Sequence, residues 1–448
     1  MEKEFRLSWL LNIFYLVLLV LVSPWIVYRA VAKGKYREGI TAKLFGRVPK
    51  RDGQDACVWM HAVSVGEVNL LTPVLAEIQK RHPRLAIYIS ATTTAGYNLA
   101  KANFAQHTVF YCPFDFSWAV RAALRRIRPD LLLLAELELW PNLVRLAHGR
   151  GTSVAVFNGR LSEKSFKGYR KIRPLMRRLL TKIDLIGVQS EEYADRFRQL
   201  GADAESVHVT GSVKFDGAVS DRNNPTTRQL AQIAGIESTD TVFLAGSTQD
   251  PEERFALATF KELSKSHPNL RLIVVPRHPE RFDAVARLFD EFGLSWQRRS
   301  RLNERGIEEE SRVLLVDVVG ELGAWWGCAD IGFVGGSMGS RGGQNMIEPA
   351  AYGTAVSFGP NTKNFRDVVS LLLAEEAAVV VHDRAEMTEF VRRCLEDRDW
   401  ANSLGDRARQ LVSQQTGAAV RTVDLLDRLI PPADVQKPEN PASVRRIA

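Results

Sequence analysis

Charged side chains gather at the ends of three apolar runs. The first run, Val58–Met60, leads into His61-Ala-Val-Ser-Val-Gly-Glu67, where a helical pattern opens. A carboxylate at a helix start is favoured by the helix dipole. Glu67 therefore reads either as a capping residue or as a general base able to take the proton of a hydroxyl. Gly66 beside it lets another molecule come close to the backbone. The second run, Leu131–Leu134, ends in Ala-Glu136-Leu-Glu138-Leu-Trp-Pro141-Asn. If the strand continues, both acids point the same way; if it turns, they need not. At the end of four leucines such a pair is expected to orient a substrate or to meet a cationic partner. The third run, Ser153–Phe157, is followed by Asn158-Gly-Arg160-Leu-Ser162, a turn signal that brings Arg160 out at the strand end. The hydroxyls Thr92–Thr94 read as caps of the next helix.

The second half carries groups suited to anions. Val242–Ala245 ends at Gly246-Ser247-Thr248, a hydroxyl-bearing loop before a helix. Leu270–Val275 ends at Pro276-Arg277-His278-Pro279. The planar fork of Arg277 binds phosphate in two places, and His278 reads as structural. Val313–Val316 leads to Gly320-Glu321-Leu322-Gly323, whose amides could receive a nucleobase or phosphate. Ile331–Val334 leads to the strongest local signal, Gly335 through Glu348, with five glycines between Gly335 and Gly343. Glycine lets backbone amides approach an anion closely. A helix opening near Asn345 would direct its positive end at the ligand, with Glu348 accepting from ribose hydroxyls.

These groups need elements to hold them. Continuous apolar strands alternating with helix-length stretches such as Glu67–Arg81 and Pro251–Ser266 predict parallel sheets covered on both faces. Further strands are expected at Leu85–Ser90, Leu185–Val188, Val207–Val209, Ala355–Ser357 and Ala378–Val381. A polar, turn-rich stretch from Asp216 to Thr227 divides two doubly wound halves joined once. Ligands of such sheets sit at the carboxyl ends of the strands. The expected organisation is an anchor over 1–35, one domain over 36–217, a second over 218–428, and an unfolded tail over 429–448.

Composition sets the class. The 448 residues are 45% hydrophobic and 25% charged, which is globular, and too long for one ordinary core. The formal net charge of +8 favours anionic partners. Four scattered cysteines form no Cys-x-x-Cys and read as free thiols. From Leu7 to Tyr28 no residue is charged, long enough to cross a bilayer. Arg29, Lys33, Lys35 and Arg37 follow, which puts the bulk of the chain on the cytoplasmic side. Ser8, Asn12 and Pro24 interrupt the run, so a helix lying on the surface is the other reading. Between Arg160 and Lys182 nine Lys/Arg face one acid, Glu163, with Phe166 and Tyr169 among them. That segment suits phosphates at a membrane surface, and the anchor argues against nucleic acid. No Gly-x-Gly-x-x-Gly follows an early strand, so a dinucleotide dehydrogenase is excluded. No metal-ligand cluster stands out.

Together these blocks resemble the Kdo (3-deoxy-D-manno-octulosonic acid) transferases of lipopolysaccharide synthesis. The resemblance rests on His61–Glu67, Glu136–Asn142, Asn158–Ser162, Gly211-Ser-Val-Lys214-Phe-Asp216, Ala245–Thr248, Pro276–Pro279 and Gly335–Pro349, and runs to about Leu426. It implies an α/β, GT-B glycosyltransferase with two Rossmann-like domains facing a cleft. It implies an inverting enzyme at the cytoplasmic face of the bacterial inner membrane, with CMP-β-Kdo as donor and a phosphorylated lipid A precursor as acceptor. No cofactor or metal is implied. Glu67 matches the family's general base. Arg277, Gly320, Glu321, Leu322, Asn345 and Glu348 match its CMP-binding positions, with Ser247, Thr248 and His278 as weaker matches. Glu136, Glu138, Asn158, Arg160 and Lys214 are then expected on the acceptor side. A UDP-sugar transferase of the same fold is the alternative, and a tethered nucleotide or lipid-phosphate binder without turnover is a third.

Overall fold

Runs of branched and aromatic side chains that are buried on both faces dictate two all-parallel sheets. The structure, a computed structural model, describes residues 2–33, 38–306, 308 and 311–431. The chain divides into one unit formed by Met1–Gly217 with Gly417–Ala448, and a second formed by Ala218–Thr416.

The first unit holds strands β1 (Cys57–Ala62), β2 (Ala86–Ala91), β3 (Thr108–Tyr111), β4 (Leu131–Ala135), β5 (Ser153–Gly159), β6 (Leu185–Val188) and β7 (Val207–Val209). Their order is β3-β2-β1-β4-β5-β6-β7. Side chains alternate across a strand. Trp59, Leu132, Leu134, Val154 and Val156 accordingly enter one core, while Val58, Met60, Leu131, Leu133 and Ala155 enter the other. Burying each large side chain is worth about 1.5–3 kcal/mol.

The second unit holds β8 (Thr241–Thr248), β9 (Leu270–Pro276), β10 (Trp296–Arg298), β11 (Val313–Leu315), β12 (Ile331–Val334), β13 (Ala355–Phe358) and β14 (Val379–Val380). Their order is β10-β11-β9-β8-β12-β13-β14. In each sheet the order reverses beside the first strand: between β1 and β4 in one, between β8 and β12 in the other. Those two points are where ligands of open α/β sheets bind.

Several expectations need correction. β3 and β10 were not foreseen in the sequence. Both are at sheet edges, and β10 is a half-buried Trp-Gln-Arg with no apolar run. The second domain ends at 416 rather than 428, so the chain passes between the units twice rather than once. The cause is the helix Ala418–Leu426, which buries Ala418, Ala419, Val423 and Leu426 in the first unit beside Val68 and Leu71. Asp216 accepts from the amides of Gly417, Ala418 and Ala419 at that helix's start. Leu429 and Ile430 pack on the same core, so the expected tail cannot start at 429; its residues 432–448 lie outside the described ones. A helix spans Glu2–Lys33, and its stretch Ser8–Trp25 is long and apolar enough to cross a membrane. Residues 34–37, with Lys35 and Arg37, lie outside the described ones.

Candidate active site

In the first unit three carboxylates flank the reversal point. Glu67 lies in the first turn of the helix Val65–Arg81, directly after β1. Its two oxygens accept from the Val63 amide (2.8 Å) and the Ser64 hydroxyl (3.0 Å). The capping geometry expected of an acid here is thus present, and it also fixes the carboxylate's orientation. Burial pushes the Glu67 carboxyl above its ordinary range; the Val63 amide and Ser64 hydroxyl oppose this, and the negative charge of Glu136 adds to it.

β4 ends at Ala135, and Glu136 turns into the left-handed region with φ 55°. Glu136 and Glu138 therefore do not share a strand face. A non-glycine residue held there is uncommon and marks sites that the surroundings over-determine. Lys214 approaches Glu136 at 3.9 Å. Glu138 is half-buried, and burial, then the charges of Glu67 and Glu136, push its carboxyl to about 7. A carboxyl whose folded pKa stands above its unfolded one contributes stability below the unfolded value. That contribution is lost as pH rises from about 4.5 to about 7. Glu138→Gln should abolish this loss, so its melting temperature relative to the wild type is expected to be higher at pH 8 than at pH 5. Parallel melting curves at the two pH values check this.

Other residues expected on the acceptor side divide. Asn158 is fully buried with φ 54°. Its Oδ1 accepts from the Val213 amide and its carbonyl from Gln189 Nε2. It ties β5 to the segment carrying Lys214, while its Nδ2 is buried with no hydrogen-bond partner among the described residues. Arg160 follows β5 and is partly exposed. The basic segment forms helices Glu163–Arg170 and Arg173–Leu180. Phe166 and Tyr169, half-buried, pack against the core, and Ile172 and Leu175 are exposed apolar residues there. Thr93 caps its helix by accepting from the Gly96 amide.

In the second unit the loops after β8 and β12 meet. Ser247 and Thr248 are buried, and Ser247 has φ 56°. Asn345 donates to Glu348 (2.9 Å) and accepts from the Ile347 amide, two residues before the short helix Ile347–Ala351. That helix starts two residues later than expected. Arg277 is exposed at the end of β9, and its charge acts on Glu348, opposing the effect of burial on that carboxyl. His278 lies 3.8 Å from Glu280. Gly320 has φ 94°. Glu321 is gripped by Arg299 through two 3.0 Å bonds and by the Trp325 indole. Its side chain is therefore committed within the protein, and Leu322 opens the helix Leu322–Trp326 behind it.

The glycine-rich loop corrects one expectation and exposes a residue the sequence did not single out. The amides of Gly336, Ser337 and Met338 already hold an anion, the buried carboxylate of Glu252, at 2.8–2.9 Å. Glu252 also accepts from the Gln249 amide at 2.8 Å. It therefore bolts the loop after β8 to the loop after β12. A Cβ on Gly335 would lie 2.7 Å from Glu252 Oε2 and from the Ser247 carbonyl oxygen, which is why this position takes no side chain. The only sequence signal for Glu252 was an acid in a first helical turn, which helices such as Glu163–Arg170, Glu191–Leu200 and Arg384–Glu396 also show.

The family profile described as 3-deoxy-D-manno-octulosonic-acid transferase (kdotransferase) matches residues 40–217. A 3-deoxy-D-manno-octulosonic acid transferase of Haemophilus influenzae is 31% identical over 422 residues, covering 92% of this chain and 97% of that protein. One from Bordetella pertussis is 31% identical over 418 residues, covering 91% and 96%. Among solved structures, UDP-GlcNAc 2-epimerase from Neisseria meningitidis covers 83% of this chain and 100% of its own, with TM-score 0.56 and 13% identity; that likeness concerns the fold alone. Near-full-length identity at this level, with the expected motifs on two Rossmann-like sheets, places the chain in the 3-deoxy-D-manno-octulosonic acid transferase family of glycosyltransferases.

Proposed function

We propose that the chain transfers Kdo from CMP-β-Kdo to a hydroxyl of a lipid A precursor, at the cytoplasmic face of the bacterial inner membrane, with Glu67 as general base. The observation that carries this reading is the Glu67 carboxylate. It stands at the reversal point of the first sheet, oriented by Val63 and Ser64 and held above its ordinary pKa by burial. A base whose pKa is raised toward the working pH accepts a proton more effectively. As the acceptor oxygen attacks the anomeric carbon of Kdo, its proton passes to Glu67. The bond from that carbon to the CMP phosphate oxygen breaks, and CMP leaves with the bonding pair. One displacement inverts the anomeric centre.

The leaving phosphate is assigned to the second unit. Arg277, with the amides of the segments near Gly320–Leu322 and Asn345, offers positive charge and N–H groups that stabilise it without a metal ion. The exposed Lys/Arg of residues 164–178 supply charge for the acceptor's phosphates. The exposed apolar helix Ser8–Trp25 supports membrane attachment.

The test is incubation of the protein with lipid A precursor and CMP-Kdo generated in place, with EDTA present, read by mass spectrometry of the lipid. Addition of one or more Kdo masses is the expected result. An unmodified lipid beside intact donor and folded enzyme overturns the assignment, and UDP-sugars are then the donors to screen.

A further inference from the structure

The N-terminal helix carries a polar stripe that does not face water. Ser8, Asn12 and Tyr15 recur at the spacing of one helix face. Asn12 exchanges two hydrogen bonds with Ser117, its Nδ2 donating to the hydroxyl (2.8 Å) and its Oδ1 accepting from the amide (2.9 Å). The Tyr15 hydroxyl donates to Asp115 at 2.9 Å, and its ring meets Phe116 edge-on. Arg145 reaches the Ser8 hydroxyl at 3.5 Å. Ser8 and Asn12 are buried by these contacts. Asp115 is itself a fixed point of the first unit, because it also accepts from the amides of Asn142 and Leu143.

The chain beyond the helix returns to the same stretch of protein. Glu38 accepts from the Tyr111 hydroxyl (2.6 Å), and the Lys43 ammonium lies over the Tyr111 ring. The Lys43 carbonyl accepts from the Phe114 amide, and the Leu44 carbonyl from the Trp118 indole. Tyr111–Trp118 therefore holds both the first half of the apolar helix and the chain that follows the helix. A spanning helix must place its two ends about 30 Å apart on opposite faces of the hydrocarbon core. From Tyr15 to Lys33 the helix rises about 27 Å, but from Lys33 to Glu38 the chain reaches at most about 18 Å. The C-terminal end of the helix is thus tethered near the first unit, closer than the thickness of that core. The rest of its surface is apolar and open: Trp9, Phe14, Val17, Val20 and Leu21 are each more than half exposed. In an ordinary surface helix the polar face meets water. Here protein covers that face, which leaves the remaining circumference for lipid.

We propose that this helix is a monotopic anchor: it enters one leaflet only, with both of its ends on the side of the membrane that holds the two units. The proposal rests on the membrane attachment put forward above. Its partner is the acyl-chain region of a bilayer leaflet, selected by the exposed apolar surface on the helix.

The test compares Lys3→Cys and Lys50→Cys, placed before and after the helix, each in the full chain with the partly exposed Cys328 changed to serine. Membranes of the expressing bacterium are prepared right-side-out and inverted, then treated with a membrane-impermeant maleimide. Both positions should label from the same side, at least tenfold more strongly in inverted vesicles. Any pattern in which the two are not reached from the same side overturns the monotopic reading and leaves attachment intact. Release of the protein by alkaline carbonate instead overturns attachment itself, and the anchor with it.

Discussion

Glu67→Gln is expected to lower kcat by about 10²–10⁴-fold, the range that a positioned general base contributes. KM for both substrates should change little, because an interaction made only during proton transfer affects kcat alone. The substitution is informative because it separates two readings of Glu67, a cap and the proposed base. As a cap it accepts from the Val63 amide and the Ser64 hydroxyl. Loss of a cap costs about 1 kcal/mol of stability and nothing in chemistry. Glutamine retains a carbonyl oxygen for the Val63 amide, so most of the capping survives while the basic oxygen is gone. A fall in turnover with a near-native melting temperature is the signature of a base. A lower melting temperature with unchanged kcat would reduce Glu67 to a cap. The wild-type pH–rate profile provides an independent check. Glu67 must be ionised to act, and burial raises its carboxyl above the ordinary value. Turnover should therefore rise with pH along an acid limb centred above 4.5, the ordinary value for glutamate.

Much of this architecture was legible because its physics is local. The strands β1, β4, β5 and β12 are each built on an apolar run, and burial on both sheet faces makes such runs obligatory. The motifs after them were found because loops at strand ends carry the polar groups that a parallel sheet cannot hide. What the sequence did not display were partnerships over distance. Glu252 meets Gly336 across 84 residues, and nothing around either residue announces the other. Helix Ala418–Leu426 has an ordinary amphipathic pattern, which says that it packs but not on which unit. Asn12 and Ser8 looked like interruptions of an apolar run. In the fold they are its attachment points, because a polar side chain in an apolar helix is tolerated when a buried partner awaits it. Glu321 sat in a recognised motif, yet its side chain is spent inside the protein. A motif position fixes where a residue lies, not whether its side chain or its backbone is the part on offer.

The same distinction makes Glu252 the residue whose removal should most disturb the second unit. The residue is 1% exposed, with Oε1 of its carboxylate accepting from Ser337 and Met338 and Oε2 from Gln249 and Gly336. Glu252→Ala leaves four amides facing a void without an acceptor. Removing one partner of a buried charged network costs about 3–5 kcal/mol. If opening of the loop is what exposes these amides, that loss accelerates their hydrogen exchange by about two to four orders of magnitude, since 1.36 kcal/mol is a factor of ten. Glu252→Gln should have an intermediate effect, because its NH₂ must face two amide donors wherever it is placed. Exchange measured at Gln249 and Gly336–Met338 reads this directly, and unchanged protection in the alanine variant would show that the glycine-rich loop holds its shape without the carboxylate. Preorganisation then predicts the functional consequence. A loop whose amides are fixed by an internal anion keeps its neighbours Asn345, Glu348 and Arg277 in place before any donor arrives, so the ordering cost of binding is already met in folding. Both variants should therefore raise KM for the donor more than they lower kcat, the reverse of the pattern expected at Glu67.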